Sequence, residues 1–142
     1  MSWQIAPTND LTACFALRHE VFVLEQGVPL TEEQDTLDAT ATHILASKDG
    51  APIGAARILF NGDTAKVGRV CVVQSARGTG LGAAIIRACI GIAAATPDIR
   101  TVKLGAQVNA IGFYEKLGFT GFGPVYNDAG IDHRDMKMEL PQ

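Results

Sequence analysis

The sequence predicts a mixed α/β domain: a largely antiparallel sheet of six or seven strands flanked by helices, in the order β-α-β-β-β-α-β-α-β-β. Three observations carry this. Two hairpin-turn signals, Asp49-Gly50 and Asn61-Gly62, separate three β-rich runs. An Ala- and Ile-rich run, Leu81 to Ala95, has the length of a helix and stops before Pro97. A third turn region, Asn127 to Gly130, joins two more β-rich runs near the C-terminal end. At 142 residues, 47% hydrophobic and 19% charged, the chain has the length of one domain and enough apolar surface for one core.

The elements follow in order. Ser2 to Ala6 reads as an edge strand stopped by Pro7, and Thr8, Asn9 and Asp10 offer helix N-caps. Leu11, Phe15, the stem of Arg18 and Phe22 recur at helical spacing, so residues 10–25 read as an amphipathic helix ended by Gly27 and Pro29. Residues 27–41 read as a loop with one helical turn. His43 to Ser47, Ile53 to Phe60 and Ala65 to Val73 form an antiparallel meander. After the Leu81–Ala95 helix come a strand, Thr101 to Ala106, and a short helix, Ala110 to Leu117, stopped by Gly118. Phe119 to Tyr126 and Ile131 to Leu140 pair as the last hairpin.

Fifteen acids against twelve bases give a net charge of -3, which argues against a nucleic-acid partner held by bulk charge. Between His19 and Ser47 stand six acids (Glu20, Glu25, Glu32, Glu33, Asp35, Asp38) and no Lys or Arg. Residues 57–103 hold seven bases and two acids. The acidic segment is either a solubilising face or a lure for a cationic ligand. Cys14, Cys71 and Cys89 all sit in apolar stretches without a C-x-x-C pair, so buried free thiols and a reducing compartment are expected, with no metal site. The N-terminal residues do not have the pattern of a signal peptide. The stretch Leu81 to Thr96 is too short and too broken to span a bilayer. A cytoplasmic protein without membrane contact is the expectation.

The most informative stretch is Arg69-Val70-Cys71-Val72-Val73-Gln74-Ser75-Ala76-Arg77-Gly78-Thr79-Gly80-Leu81-Gly82. A strand runs into a glycine-rich turn that opens a helix. Free N–H groups at a helix N-terminus, backed by the helix dipole, suit an anion, and glycines let a phosphate approach the backbone. Arg77 adds a charge-assisted donor. Without Gly-Lys-Ser/Thr this is not a P-loop. Its strand belongs to a meander, whereas a dinucleotide fold needs a βαβ unit. A merely structural glycine turn is the alternative.

This stretch resembles the acyl-CoA signature of the GNAT acetyltransferase superfamily, [Q/R]-x-x-G-x-[G/A], through Arg77, Gly80 and Gly82. Asn109 followed by Phe113-Tyr114 and Gly118-Phe119 is similar to the same family's C-terminal region in modified spacing. Leu17-Arg18-His19-Glu20-Val21-Phe22-Val23-Leu24-Glu25-Gln26, with Asp35, Asp38, His43, Arg57 and Gly130 to Met136, looks like the ElaA-like branch. The resemblance covers about residues 3 to 140.

The resemblance implies a twisted GNAT-like sheet and transfer of an acetyl group from acetyl-CoA to an amine. Backbone at Val70, Cys71 and Val72 would bond the pantetheine arm. Arg77, Gly78, Thr79, Gly80, Leu81 and Gly82 would hold the pyrophosphate. Asn109 would contact the coenzyme and cap the short helix. Tyr114 would point at the thioester sulfur, while Phe113 and Leu117 pack in the core.

Direct transfer needs an uncharged amine, and populating the free base of a lysine-like amine at pH 7 costs about 4.6 kcal/mol. Glu20, Glu25, Asp35, Asp38, His43 and His133 are candidate proton acceptors, with Glu20 and His133 put forward. His43 at a strand start suits a hydrogen-bonded structural role better than a catalytic one. A covalent route through Cys71 is disfavoured by its apolar neighbours. A non-catalytic acyl-CoA sensor is the competing function. The acceptor's identity stays open, as does dimerisation through the last hairpin or the edge near Trp3.

Overall fold

The computed structural model describes residues 3–141. Its elements are β1 (Gln4–Thr8), α1 (Leu11–Arg18), α2 (Leu30–Glu33), β2 (Thr42–Lys48), β3 (Ala51–Asn61), β4 (Thr64–Val72), α3 (Leu81–Ala95), β5 (Thr101–Gln107), α4 (Ile111–Lys116), β6 (Thr120–Asp128) and β7 (Ile131–Glu139). The strands make one sheet in the order β1-β2-β3-β4-β5-β7-β6, antiparallel at every junction except β4 with β5. This is the mixed, mostly antiparallel architecture expected.

Most boundaries lie within two residues of the sequence reading, and two differences bear on the architecture. β1 runs through Pro7, which an edge strand tolerates because the missing N–H can face solvent. Ser2, expected in that strand, lies outside the described residues. The expected helix over 10–25 is α-helical only to Arg18, then widens to a π-helical segment, His19–Glu25. Apolar spacing over seven residues does not separate these two periods. Asp10 is the cap: its carboxylate accepts from Ala13 N at 3.1 Å.

Strand alternation sorts the core into two layers. Ile44, Ala46, Ala56, Ile58, Ala65, Val67, Val102, Leu104 and Met136 face α3, whose Leu81, Ile85, Ile86, Cys89 and Ala93 are all buried. On the opposite face Ala55 and Cys71 meet Cys14, Leu17 and Val21 of the N-terminal helical segment. Val67 and Cys71 are four residues apart on one strand, yet they face opposite ways. An extra residue in β4 explains it. Ala55 pairs with Cys71 and Arg57 with Gly68, so one residue of β3, Ala56, opposes two of β4, Arg69 and Val70. Arg69, in this bulge, has φ +51. All three cysteines are free and buried, as expected.

Candidate functional site

β4 and β5 pair only from Thr64–Thr101 to Val67–Leu104. They part just before the bulge, and Gly68–Val72 have no strand partner on the β5 side. A cleft of about 370 Å³ opens there. Gly68, Arg69 and Val70 line one wall, Gly105 and Gln107 the other. Phe22, Gln26 and Val28 come from the segment after α1, Tyr114 from α4, and Tyr126 and His133 from the last hairpin. Gln107 Nε2 donates to Gln26 Oε1 at 3.1 Å, tying β5 to the π-helical segment.

The glycine turn continues from the open edge of β4. Gly78 and Gly80 have φ of +75 and +87, and a Cβ on either would meet nothing within 4 Å. Their backbone geometry, rather than crowding, therefore requires glycine. Gly80 is the N-cap of α3 and supplies no side-chain cap, so the first N–H groups of that helix keep their donors for another partner. Thr79 Oγ1 donates to Ala76 O at 2.6 Å and braces the turn. Leu81 is buried beneath it, and Gly82 faces Phe113, whose Cζ would lie 3.7 Å from a Cβ there.

Arg77 is not a free donor. Its two terminal nitrogens donate to Glu25 at 2.6 and 2.7 Å, and Nε donates to Val72 O at 3.1 Å. The hydrogen bonds from Arg77 hold the Glu25 carboxyl below its ordinary range. Glu25 is therefore occupied and cannot serve as a ready proton acceptor. Glu20 is exposed on the same segment and does not line the cleft.

Most of the acidic segment is consumed by arginine. Arg18 is 1% exposed, head included, and donates to both carboxylate oxygens of Glu33 and both of Asp38. Arg57 donates to Asp35 at 2.7 and 3.0 Å and to Asp38 at 2.9 Å. Arg69 donates to the carbonyls of Glu33 and Glu32 at 3.1 and 3.2 Å. Burial would raise the Asp38 pKa, but hydrogen bonds from Arg18 and Arg57 outweigh it and hold it at about 2. Asp35 is lowered by its bond from Arg57. Neither is a proton acceptor near neutral pH. His43 Nε2 sits 2.9 Å from Asp38 O, the structural role weighed for it. The network lashes residues 33–38 to α1, β3 and β4, and so builds one rim of the cleft.

Tyr114 lines the cleft between edge-on contacts with Phe113 and Phe119, at centroid distances of 5.0 and 6.0 Å. Burial pushes its phenol up to about 12. Its ring is thus a neutral donor across the physiological range. Phe113, expected in the core, is 41% exposed, because α4 is short and turns only one side inward. Asn109 is exposed in a 3-10 turn, Val108–Ala110, and the N-cap of α4 is Ala110. The expected cap by Asn109 is therefore corrected: the extra turn shifts the helix start past it. Val70 lines the cleft, and Val72 packs toward the α3 core. The Cys71 side chain points away into the second core, where burial lifts its thiol to about 12.

His133 lines the cleft opposite Gln107 in the β5–β7 register. Its Nδ1 lies 2.7 Å from Ile131 O. A carbonyl only accepts, so Nδ1 carries a proton, and a lone pair on this ring can only be presented at Nε2. Tyr126, opposite His133 across the hairpin, stacks on it at 5.9 Å and 23°. The sequence reading overlooked Tyr126. The turn at Asn127 to Gly130 held the signal, because counting back from it pairs 126 with 133. Among the described residues no cluster of His, Cys, Asp and Glu is arranged to hold a metal ion, and no helix is long and apolar enough to cross a membrane.

The arrangement has counterparts among known proteins. A family model for the acetyltransferase (GNAT) domain matches residues 8–140. The uncharacterized N-acetyltransferase YjcF of Bacillus subtilis (strain 168) is 38% identical over 132 residues, covering 92% of this chain and 94% of that protein. ElaA of Escherichia coli (strain K12) is 33% identical over 138 residues, covering 94% and 90%. The crystal structure of E. coli ElaA superposes with a TM-score of 0.85 over 97% of this chain and 99% of that one. An acyl-CoA N-acyltransferase from Pseudomonas aeruginosa, 31% identical, also superposes at 0.85, over 96% and 98%. A parted pair of parallel strands, a glycine turn on a helix start and relatives of matching length thus agree: the chain belongs to the GNAT acetyltransferase family, in its ElaA-like branch.

Proposed function

We propose that this protein is an N-acetyltransferase that moves the acetyl group of acetyl-CoA to a primary amine by direct attack in a ternary complex. One observation carries the reading. The unpaired edge Gly68–Val72 leads into the glycine turn and borders a cleft that Tyr114 and His133 both line. The pantetheine arm fits the open edge at Val70, Cys71 and Val72 through backbone groups alone, which suits a strand whose Cys71 side chain is turned away. The pyrophosphate fits the N–H groups from Gly78 to Gly82, with Thr79 bracing the turn. Asn109, exposed beyond β5, stands as a further contact to the coenzyme.

Chemically, the acceptor must lose a proton before or as its nitrogen attacks the thioester carbon. His133 Nε2 is the base in this reading, in place of Glu20, which lies off the cleft. The N–C bond forms as the C–S bond breaks, and the sulfur leaves as thiolate. With its phenol at about 12, Tyr114 holds its proton far more tightly than a thiol of ordinary pKa near 8.5, so outright transfer is uphill by about 5 kcal/mol. Tyr114 therefore acts as a hydrogen-bond donor to the developing thiolate, and much of the rate comes from holding the two reactants together. Three buried thiols suit a reducing cytoplasm.

The pairing of four of the six acids with arginines removes the main reason to expect a strongly cationic acceptor. The test is calorimetric titration with acetyl-CoA, followed by thiol release over a panel of amines. Binding of acetyl-CoA weakened by Gly80→Val, with amine-dependent thiol release, supports the reading. Absence of any binding to CoA compounds refutes it.

A further inference from the structure

Tyr126 does not lie above its own strand. Its ring reaches from β6 across β7 toward β5, and its hydroxyl donates to Oδ1 of Asp135, a β7 residue, at 2.8 Å. Beneath it on β5 is Gly105, which pairs with Asp135. A Cβ on Gly105 would collide with the Tyr126 hydroxyl, whereas the ring carbon Cζ would stand at 3.8 Å, ordinary contact. So the glycine is needed for the hydroxyl, not for the ring. The stretch Gly123-Pro124 interrupts the β6–β7 register between Phe122–Asp135 and Val125–Arg134, and this brings Tyr126 opposite His133. The ring then stacks on the imidazole, whose Nδ1 is already spent on Ile131 O. Both rotations of the His133 side chain are thereby restrained, one by the stack and one by the hydrogen bond.

We propose that Tyr126 is a positioning residue, seated by Gly105 and Asp135, that clamps the His133 imidazole so that its Nε2 lone pair meets the acceptor amine. The proposal rests on the reading of His133 as proton acceptor. A misplaced base by about 1 Å is enough to lose on the order of a hundredfold in rate.

The experiment is a double-mutant cycle on the full chain. Gly105→Ala pushes the hydroxyl off its seat and lowers kcat by roughly tenfold or more, while KM for acetyl-CoA stays within about twofold. Tyr126→Phe keeps the stacked ring but loses the bond to Asp135, and lowers kcat by roughly three- to fivefold. In the double variant the collision is gone, so kcat recovers to about the level of Tyr126→Phe. Relief of a collision alone also gives this recovery, so the state of the His133 ring is read directly. Long-range 1H–15N spectra of the neutral His133 ring supply a readout apart from turnover. The parent shows the Nδ1–H tautomer, and Gly105→Ala shows a mixture of both. An unchanged kcat in Gly105→Ala, a double variant no better than Gly105→Ala, or a His133 tautomer indifferent to all variants overturns the clamp. Full turnover in His133→Gln overturns instead the proton-acceptor reading, and the nitrogen shifts then report the clamp by themselves.

Discussion

Arg77 and Glu25, far apart in sequence, form a two-bond ion pair that joins the glycine turn to the end of the π-helical segment. The guanidinium that the family signature assigns to the coenzyme is thus already engaged. Both side chains are about two-fifths exposed, so the pair is open to exchange with an incoming anion. We expect Glu25→Gln to release Arg77 and tighten acetyl-CoA binding by roughly three- to tenfold, and Arg77→Ala to weaken it by a similar factor. Calorimetric titration reads both. Equal affinity in all three proteins would show that Arg77 takes no part in binding.

Tyr114→Phe should leave acetyl-CoA affinity unchanged and lower kcat by on the order of a hundredfold, the usual cost of one donor aimed at developing charge. Because burial puts the phenol at about 12, its ionisation should leave no basic limb in the pH–rate profile below about pH 11. Steady-state kinetics from pH 6 to about 10 check both statements. An unchanged kcat would remove Tyr114 from the mechanism.

The buried arginine network is a stability element. Arg18→Met strips Glu33 and Asp38 of their shared partner and leaves buried carboxylates uncompensated. Breaking one side of such a network costs about 3–5 kcal/mol, so chemical denaturation should show a large fall in midpoint. A loss under about 1 kcal/mol would mean that water or repacking compensates.

The same network sets the acid limit. Asp38 has a folded pKa of about 2 against an ordinary 3.8. A depressed carboxylate contributes stability that is present above the unfolded value and lost as pH falls through the folded one. Stability should therefore drop between about pH 4 and pH 2, by about 2 kcal/mol for this group. Asp38→Asn should be less stable at neutral pH and flatter across that interval in urea titrations. A parent curve that is flat there contradicts the assignment.

No thiol should react quickly. Cys71 and Cys89 are each lifted to about 12 by burial, and Cys14 is raised for the same reason. A chromogenic disulfide should titrate none of the three in the folded protein and all three after unfolding. One fast-reacting cysteine matching Cys71 would reopen a covalent route.

Turns, strand runs and the glycine-rich helix start were legible in the sequence because each is a local event. Asp49-Gly50, Asn61-Gly62 and the exact span of α3 are decided by residues within a few positions of one another. The glycine turn belongs to the same class, since Gly78 and Gly80 announce positive φ by their identity. The π-helical widening after Arg18 and the shift of the α4 start past Asn109 were not legible, because neighbours far along the chain select them.

The sequence alone determined the element order, the mostly antiparallel sheet and the anion-shaped turn, since short-range sterics and alternation suffice for these. The tertiary structure decided which charges are free. Glu25, Glu33, Asp35 and Asp38 looked like one acidic face, but arginines from α1, β3, β4 and the glycine turn cancel them. It also decided that Tyr126 comes to rest over Gly105 beside His133. Charge pairing and ring stacking act through space, and only the folded chain sets those distances.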